Sequence, residues 1–389
     1  MTRPAYILPV LLFAQFAGTS PWFAGNAVIQ DLQHDWQLAP GALAYVTSAV
    51  NLGFICGTLV FALLMISDRF SPRLVFFTCT LCAATANFAL LIAPHNLAGL
   101  LIPRLMTGFF LAGIYPVGMK IAAGWYRQDL GKVLGFLIGA LVLGTAFPHL
   151  LRSLSTDLPW QQVIFGVSLF ASLGGAAMLL GVPDGPYNGA ASNFNPRALQ
   201  IIFASPRLRA SAFGYFGHMW ELYTLWAFAP LLLMAYAERH DIALNPSLWA
   251  FLFIATGMLG CVIGGLVSTR SGSARVAGWQ LAVSGACCLL APLMFNSAPI
   301  LFLSFILIWG ITVVGDSPQF SAMNAAYAPP EYIGSALTII NSIGFLLTII
   351  SIQLASWLLP LVEIEYLFWL LLPGPMLGLW ALRPLWRAG

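Results

Sequence analysis

Charged side chains are scarce in this 389-residue chain: Asp, Glu, Lys and Arg make up 7% of it, whereas 60% of the residues are hydrophobic. A soluble domain carries about 25% charged residues. The chain therefore has no room for a soluble domain of ordinary size, and we expect a polytopic membrane protein. Its net charge of +3 comes from basic residues spread over short loops, so we expect no nucleic-acid partner.

Motifs for several kinds of chemistry are also missing. The sequence has no Gly-Lys-Ser phosphate loop, which excludes ATP as the energy source, and no His-x-x-x-His or Glu-x-x-His metal arrangement. No Ser–His–Asp or Cys–His constellation stands out on the outer loops. All six cysteines lie in apolar segments, which indicates small packing residues and no disulfide framework. We expect no cofactor, no metal and no enzyme activity.

Twelve apolar runs are long enough to cross a bilayer at about 1.5 Å per residue. We count the first run as a retained span because it is too long for the core of a signal peptide. The first six lie at 6–30, 41–66, 73–93, 98–122, 132–154 and 161–182, and the second six at 208–234, 246–268, 276–293, 299–326, 332–358 and 364–384. A stretch rich in Pro, Gly, Ser and Asn separates the two sets. The sequence thus predicts an all-α membrane protein with an N-terminal six-helix bundle (1–182), a cytoplasmic linker (183–206) and a C-terminal six-helix bundle (207–389).

The distribution of Lys and Arg predicts the orientation. With the N-terminus inside, twelve of the sixteen basic residues fall on the cytoplasmic side, and only Arg152 and Arg239 fall on the outer side. An even number of spans then places both termini in the cytoplasm. We expect a multi-pass protein of the plasma (inner) membrane.

An internal repeat relates the two halves. The pattern that occurs in span 4 recurs 202 residues later in span 10: the first copy is Gly108, Gly113 and Pro116, and the second is Gly310, Gly315 and Pro318. Two parallel halves with interrupted helices at matching positions are typical of secondary transporters. The alternative is that Gly and Pro are simply frequent in membrane helices.

The loop after span 2 reads Asp68-Arg69-Phe70-Ser71-Pro72-Arg73, and span 4 contains Arg104 four residues before Gly108. The loop resembles the Asp-Arg-x-x-x-Arg core of the major facilitator superfamily, and the second element resembles that family's Arg-x-x-x-Gly. A weaker echo of the loop runs from Thr269 to Arg275 and lacks the acid. The resemblance implies two six-helix bundles around a central cavity lined by helices 1, 4, 7 and 10, with alternating access to the two sides.

The same loop is a candidate gate. Asp68 can accept hydrogen bonds from helix ends or from Arg69 and Arg73, and such a network could close one conformation and break in the other. We call Asp68, Arg69 and Arg73 the gating loop. The alternative is that the arginines only set the topology.

Two acids fall near the middle of predicted spans, where a charge costs at least ~2.5–3.5 kcal/mol. Burial favours the neutral form of Glu221 in span 7, so it can exchange a proton near neutral pH, and His218 one turn earlier can share that proton. Asp316 in span 10 is a second proton site, a ligand for a cationic group, or the partner of a basic residue. We predict that these three residues couple transport to protons. The alternative is a structural Glu221–His218 pair.

Polar and aromatic side chains at helical spacing predict the wall of a substrate cavity. Span 1 contributes Gln15, Thr19, Trp22 and Asn26, and span 10 contributes Thr312 and Gln319. Arg104 is either a ligand for an anionic substrate or a buried structural arginine. The further candidates in spans 4, 7 and 11 are Tyr115, Tyr215, Trp220 and Asn341.

These residues predict a transporter that moves a small polar or amphipathic organic solute, with an anion as the first candidate, by proton-coupled symport and alternating access. Its expected partners are the solute, protons and the lipid bilayer, and we expect it to act as a monomer. The nearest alternative is a proton-coupled efflux antiporter for drug-like or cationic compounds. A membrane-embedded enzyme and a non-transporting sensor are further alternatives.

Overall fold

The computed structural model describes residues 4–126, 130–154, 158–187 and 194–387. Two basic residues that the orientation prediction counts as cytoplasmic, Arg3 and Arg127, lie outside the described residues, as do positions 188–193 of the predicted linker. Within the described ranges the chain forms helices and no strand. The expected all-α fold is confirmed.

Twelve long helices follow one another in the described part of the chain. They are α1 (Ile7–Ala27), α2 (Ala42–Leu63), α3 (Pro72–Leu91), α4 (Leu97–Trp125), α5 (Leu130–Ser153), α6 (Trp160–Gly181), α7 (Pro206–Arg239), α8 (Pro246–Ser271), α9 (Ser273–Phe295), α10 (Pro299–Tyr327), α11 (Pro330–Leu358) and α12 (Ile364–Trp386). Eleven are long and apolar enough to cross a membrane. The exception is α7, because His218, Glu221 and several Tyr and Trp residues interrupt its apolar sequence.

Helix α7 also differs most from its predicted length. It ends at Arg239, five residues beyond the predicted end at 234. The extra turn is held by Tyr236, whose ring stacks on Phe302 of α10 with centroids 3.8 Å apart and whose hydroxyl donates to the Ser297 carbonyl at 2.7 Å. Tertiary packing thus continues a helix that the charged residues of its last turn obscure in the sequence.

The chain divides into two compact units, Met1–Phe194 and Asn195–Gly389, which we call the N-bundle and the C-bundle. The division falls inside the predicted linker, but the end of that stretch is folded: a short helix, Ala198–Ala204, belongs to the C-bundle. Ala198 and Ile202 are fully buried, and the Asn195 amide donates to Ser335 Oγ of α11 at 2.9 Å. Burial of this apolar face explains why the helix forms in a polar, proline-containing segment.

The repeat predicted from Gly and Pro spacing is present in the backbone. Helix α4 begins at Leu97 and ends at Trp125, and α10 begins at Pro299 and ends at Tyr327, so both ends are offset by 202. Each helix is interrupted, and the second segments, Tyr115–Trp125 and Ser317–Tyr327, share the same offset. Both second segments carry Pro within their first turn, where the missing N–H is tolerated.

Two glycines show the same packing in both units. A Cβ at Gly108 would overlap the carbonyl oxygen of Val50 in α2, and a Cβ at Gly310 would overlap that of Phe253 in α8. Only glycine allows the backbones to approach so closely, as is common where membrane helices pack. The repeat therefore extends from chain spacing to helix contacts, and it fixes where the interruptions of α4 and α10 lie within each bundle.

Candidate functional site

The buried ionisable groups of the C-bundle form one cluster. His218 Nδ1 of α7 lies 2.7 Å from Asp316 Oδ1 of α10, and both side chains are fully buried. Glu221, one turn further along α7, is also fully buried and interacts electrostatically with Asp316. The structure therefore brings together the three residues that the sequence predicts to carry protons.

Asp316 is positioned by the interruption of α10. The first segment of α10 ends at Gly315 and the second begins at Ser317, with the Asp316 carbonyl accepting from the amides of Gln319 and Phe320 at 3.0 Å. Gly315 leaves room for the side chain of Gln280 from α9, which a Cβ would overlap. The break is thus packed from a neighbouring helix, and it directs the carboxylate towards α7.

Helix α9 supplies the partners of Glu221. The Cys288 thiol donates to Glu221 Oε2 at 3.7 Å, and the Ser284 hydroxyl, one turn earlier on α9, also interacts with this carboxyl group. Ser284 Oγ in turn accepts from the Trp309 indole at 3.2 Å. Ser284 was not among the predicted site residues, and Cys288 was predicted only to pack. Their i, i+4 spacing on one helix was the available signal.

Several atoms of the cluster lack a hydrogen-bond partner among the described residues, namely Glu221 Oε1, Asp316 Oδ2 and His218 Nε2. Two carboxylates ionised together in a fully buried site would be costly. Because His218 contacts Asp316, Glu221 is the acid of the cluster that has no basic partner among the described residues.

The contact made by His218 differs from one of the sequence interpretations. The structural alternative paired His218 with Glu221, whereas the structure pairs it with Asp316. Asp316 contacts the imidazole from the interruption between the two segments of α10. The interpretation of Asp316 as the partner of a basic residue agrees with this contact.

The other C-bundle candidates surround this cluster unevenly. The Tyr215 ring lies 5.9 Å from the His218 ring, and Gln319 is buried. Trp220 points away, because its indole donates to the Leu370 carbonyl at 3.0 Å in α12. Thr312 is half-buried, and its hydroxyl donates to the Trp309 carbonyl of the same helix. The interruption of α10 lies between Thr312 and Gln319, so the two do not form the continuous polar stripe that the sequence predicts. Asn341 of α11 is half-buried.

Arg104 of the N-bundle is fully buried and held by carbonyl oxygens. Its guanidinium donates to the carbonyls of Pro21 and Trp22 at 2.8 and 2.5 Å, where a 3₁₀ turn interrupts α1. It also donates to Asn87 Oδ1 at 2.9 Å. Three helices therefore meet at this side chain, which favours the structural reading of Arg104 over direct substrate contact.

The polar residues of α1 also face neighbours within the N-bundle. Each is at most 5% exposed. The Thr19 hydroxyl is 3.5 Å from the Leu141 carbonyl of α5, and the Asn26 amide donates to Thr47 Oγ1 of α2 at 2.7 Å. Trp22 donates to Asn51 at 3.4 Å, and Gln15 packs at Gly118 of α4. These contacts point in different directions because the 3₁₀ turn Ser20–Phe23 breaks the helical face.

Tyr115 is half-buried at the start of the second segment of α4.

The gating loop has different partners from those expected. Asp68 forms an ion pair with Lys120 of α4, whose ammonium group also donates to the Ser67 carbonyl at 2.5 Å. Arg73 Nε lies 3.8 Å from Asp184 Oδ2, just after α6, and Ser71 donates to the same carboxylate at 2.7 Å. Of the two alternatives predicted for Asp68, helix ends or Arg69 and Arg73, the one with the arginines is wrong, because its ion pair is with Lys120. The loop is tied instead to the ends of α4 and α6, while Arg69 is exposed.

Two bundles that repeat the same interrupted helix, together with acids buried beside that interruption, define a secondary transporter. The sequence model of the Major Facilitator Superfamily matches residues 11–352, and the chain belongs to this family. It is an integral, multi-pass membrane protein. No group of three or more His, Cys, Asp or Glu residues in the described ranges could hold a metal ion.

Two solved structures have the same fold. The human organic anion transporter MFSD10 (TETRAN) is 15% identical, with a TM-score of 0.72, and the match covers 98% of this chain and 100% of that one. The proton:xylose symporter XylE bound to 6-bromo-6-deoxy-D-glucose is 14% identical, with a TM-score of 0.74, covering 98% of this chain and 94% of that one. A search of curated protein sequences finds no significant match.

Proposed function

We propose that the protein is a proton-coupled secondary transporter in which Glu221 carries the exchangeable proton. The observation that supports this most strongly is the His218–Asp316 contact of 2.7 Å beside Glu221, with all three side chains fully buried. One imidazolium can neutralise one of the two carboxylates. The second must be protonated to remain buried at low cost, so binding and release of one proton changes the charge of the site.

This charge change supplies the coupling. An ionised Glu221 favours a conformation in which the carboxylate reaches water, whereas a neutral Glu221 is compatible with the fully enclosed cluster. Cys288 and Ser284 can each donate a hydrogen bond to Glu221, which lowers the cost of the ionised form without removing it. Alternating access would then follow protonation at this one position.

The substrate we propose is a small polar or amphipathic organic solute, with an anion as the first candidate. Arg104 is held by three oxygen acceptors but makes no ion pair among the described residues, so it would favour an anion through its positive potential and not by direct contact. We further propose that the protein acts as a monomer in the plasma (inner) membrane, with both termini cytoplasmic. The organic anion transporter and the proton:xylose symporter share only the fold with this chain, so they do not indicate which solute it moves.

A second candidate function is proton-coupled efflux of drug-like or cationic compounds. It is favoured by the two buried acids, since Asp316 and Glu221 could attract a cation when the cluster opens. The two functions differ in the direction of proton movement, because a symporter brings protons in with its solute and an antiporter exchanges them.

Proteoliposomes loaded with a pH dye test the proposal. We expect one class in a panel of organic anions, neutral solutes and lipophilic cations to drive proton movement in the wild type. Glu221→Gln should abolish it, and Glu238→Gln, an exposed acid at the end of the same helix, should leave it unchanged. Proton entry with an anion supports symport, and proton exit on adding a cation supports antiport. Solute-driven proton movement that persists in Glu221→Gln would overturn the proposal that Glu221 carries the proton.

A further inference from the structure

One end of the C-bundle contains a cavity of about 180 Å³ that takes no part in the proposed transport site. It lies where α7 begins, α8 passes into α9, and α10 and α12 end. Two arginines line it, Arg207 and Arg275, together with Ser271, Ser273 and Tyr327. Its lining residues include no carboxylate. We call it the arginine pocket.

Neither arginine of the pocket has an ion pair or hydrogen bond to another described residue. Arginines also concentrate at this end of the bundle. Residues 195–389 contain eight arginines and no lysine, and only Arg239 lies at the other end, where Glu238, Asp241, Glu363 and Glu365 are found. Glu331 is the one acid near the ends of α10 and α11 on the arginine side. The pocket is therefore an uncompensated positive site in an electropositive surface.

The walls of the pocket are held in place by neighbouring contacts. The Trp386 indole donates to the Ala274 carbonyl at 2.7 Å, and its ring packs so closely on Gly278 that a Cβ there would overlap it. Gly272, between α8 and α9, has a φ of +82° that favours glycine. These contacts hold the first turn of α9, which carries Ser273 and Arg275 of the pocket lining.

The donors in the pocket fit a phosphate group. Guanidinium groups bind phosphate oxygens through paired, charge-assisted hydrogen bonds, and two serines, Ser271 and Ser273, also line the pocket. The backbone amides of that turn have no acceptor within the helix. The volume accommodates a phosphate group with a small attached alcohol, but not a large organic solute.

We propose that the arginine pocket binds a phosphate-bearing anion, for which the headgroup of an anionic phospholipid is one source and a soluble phosphate compound is the other. The positive end of the bundle would face the anionic surface of the cytoplasmic leaflet if the predicted orientation holds. A headgroup there would bridge α7 to α9 through Arg207 and Arg275 and so stabilise the C-bundle. This site is independent of the proton-coupling cluster.

The test uses full-length, delipidated protein in detergent, with binding measured by native mass spectrometry and by the thermal unfolding temperature. The probes are dioctanoyl phosphatidylglycerol, dioctanoyl phosphatidylcholine and inorganic phosphate. We expect phosphatidylglycerol to bind the wild type and raise its unfolding temperature, and the Arg207→Gln, Arg275→Gln variant to bind it about tenfold more weakly. The matched control is Arg209→Gln, Arg270→Gln, which removes the same charge at the same end outside the pocket and should bind as the wild type does.

The outcomes separate the sources and the alternatives. Competition by inorganic phosphate supports the site with a soluble phosphate compound as its ligand, whereas selective binding of phosphatidylglycerol supports a lipid. Equal weakening in both double variants, or equal binding of the two lipids, overturns the proposal. Should the Gln variant fail to fold, Arg207→Lys, Arg275→Lys retains the charge and loses the forked geometry. Unchanged lipid affinity in that Lys variant would also overturn the proposal.

Discussion

His218 and Asp316 join α7 to the interrupted α10: Nδ1 and Oδ1 lie 2.7 Å apart, and neither side chain is exposed. The two residues are 98 positions apart in the chain, yet each is the other's nearest means of offsetting a buried charge. The contact therefore ties α7 to α10 inside the C-bundle. It also makes the pair measurable by substitution.

We expect Asp316→Asn and His218→Gln each to lower the free energy of unfolding, because each leaves one buried partner uncompensated, at a cost of roughly 3 kcal/mol. The double variant should lose clearly less than the sum of the two. A double-mutant cycle on thermal unfolding in detergent would measure a coupling energy of at least about 1 kcal/mol. Strictly additive losses would show that the pair does not interact.

Arg104→Gln should destabilise the N-bundle by roughly 3 kcal/mol, because three hydrogen bonds from a buried guanidinium are lost. Arg104→Lys should not restore stability, since an ammonium group cannot reproduce the fork. Arg383→Gln, which removes an exposed arginine, is the control. An Arg104→Gln protein with unchanged unfolding temperature but a raised KM for organic anions would instead assign Arg104 to the substrate.

Reversing the Asp68–Lys120 ion pair should separate gating from stability. Both side chains are about one-quarter exposed, so breaking the pair should cost about 1 kcal/mol or less. If the pair closes one conformation, Lys120→Asp should slow transport well beyond that cost, and the Asp68→Lys, Lys120→Asp exchange should restore much of the rate. Arg69→Gln should have little effect, because Arg69 is exposed. Full activity in Lys120→Asp would exclude a gate at this position.

The repeated glycines should respond alike to substitution. Gly108→Ala and Gly310→Ala each place a methyl group against a carbonyl oxygen of the neighbouring helix, and we expect each to cost about 1–3 kcal/mol through overpacking. Gly131→Ala is the control, because nothing lies within 4 Å of a Cβ there. It should be neutral or slightly stabilising. Unfolding temperatures that fall for only one of the two repeated positions would argue against equivalent packing.

The helices were largely predictable because apolar runs of membrane length have few alternative structures. The interrupted α4 and α10 could be predicted from Gly and Pro at a shared offset of 202. The burial of Glu221 and Asp316 followed from their place in such runs. These properties depend only on the composition and spacing of residues within one segment, and both can be taken directly from the sequence.

The partners of the polar residues could not be predicted in the same way. Lys120 lies 52 residues from Asp68, and which basic residue reaches that carboxylate depends on how α4 is rotated. Likewise, the packing of α10 against α7 decides that His218 contacts Asp316 rather than Glu221. The helix Ala198–Ala204 was not predicted, because its two buried side chains lie in a segment rich in Pro, Gly, Ser and Asn. Helix rotation and tertiary burial, rather than local propensity, determine these features.

The shared register of α4 and α10 shows how two copies of one scaffold have diverged. Ile114 of α4 corresponds to Asp316 of α10. In the same way, Ile306 of α10 corresponds to Arg104 of α4. Each copy thus carries a buried charge of one sign where its counterpart is apolar. A gene duplication would leave both copies able to maintain the backbone, so that one could specialise in a cation and the other in an acid. The two helices therefore share the place of their interruption and their packing glycines, while each carries its buried ionisable side chain at a different position of the repeat.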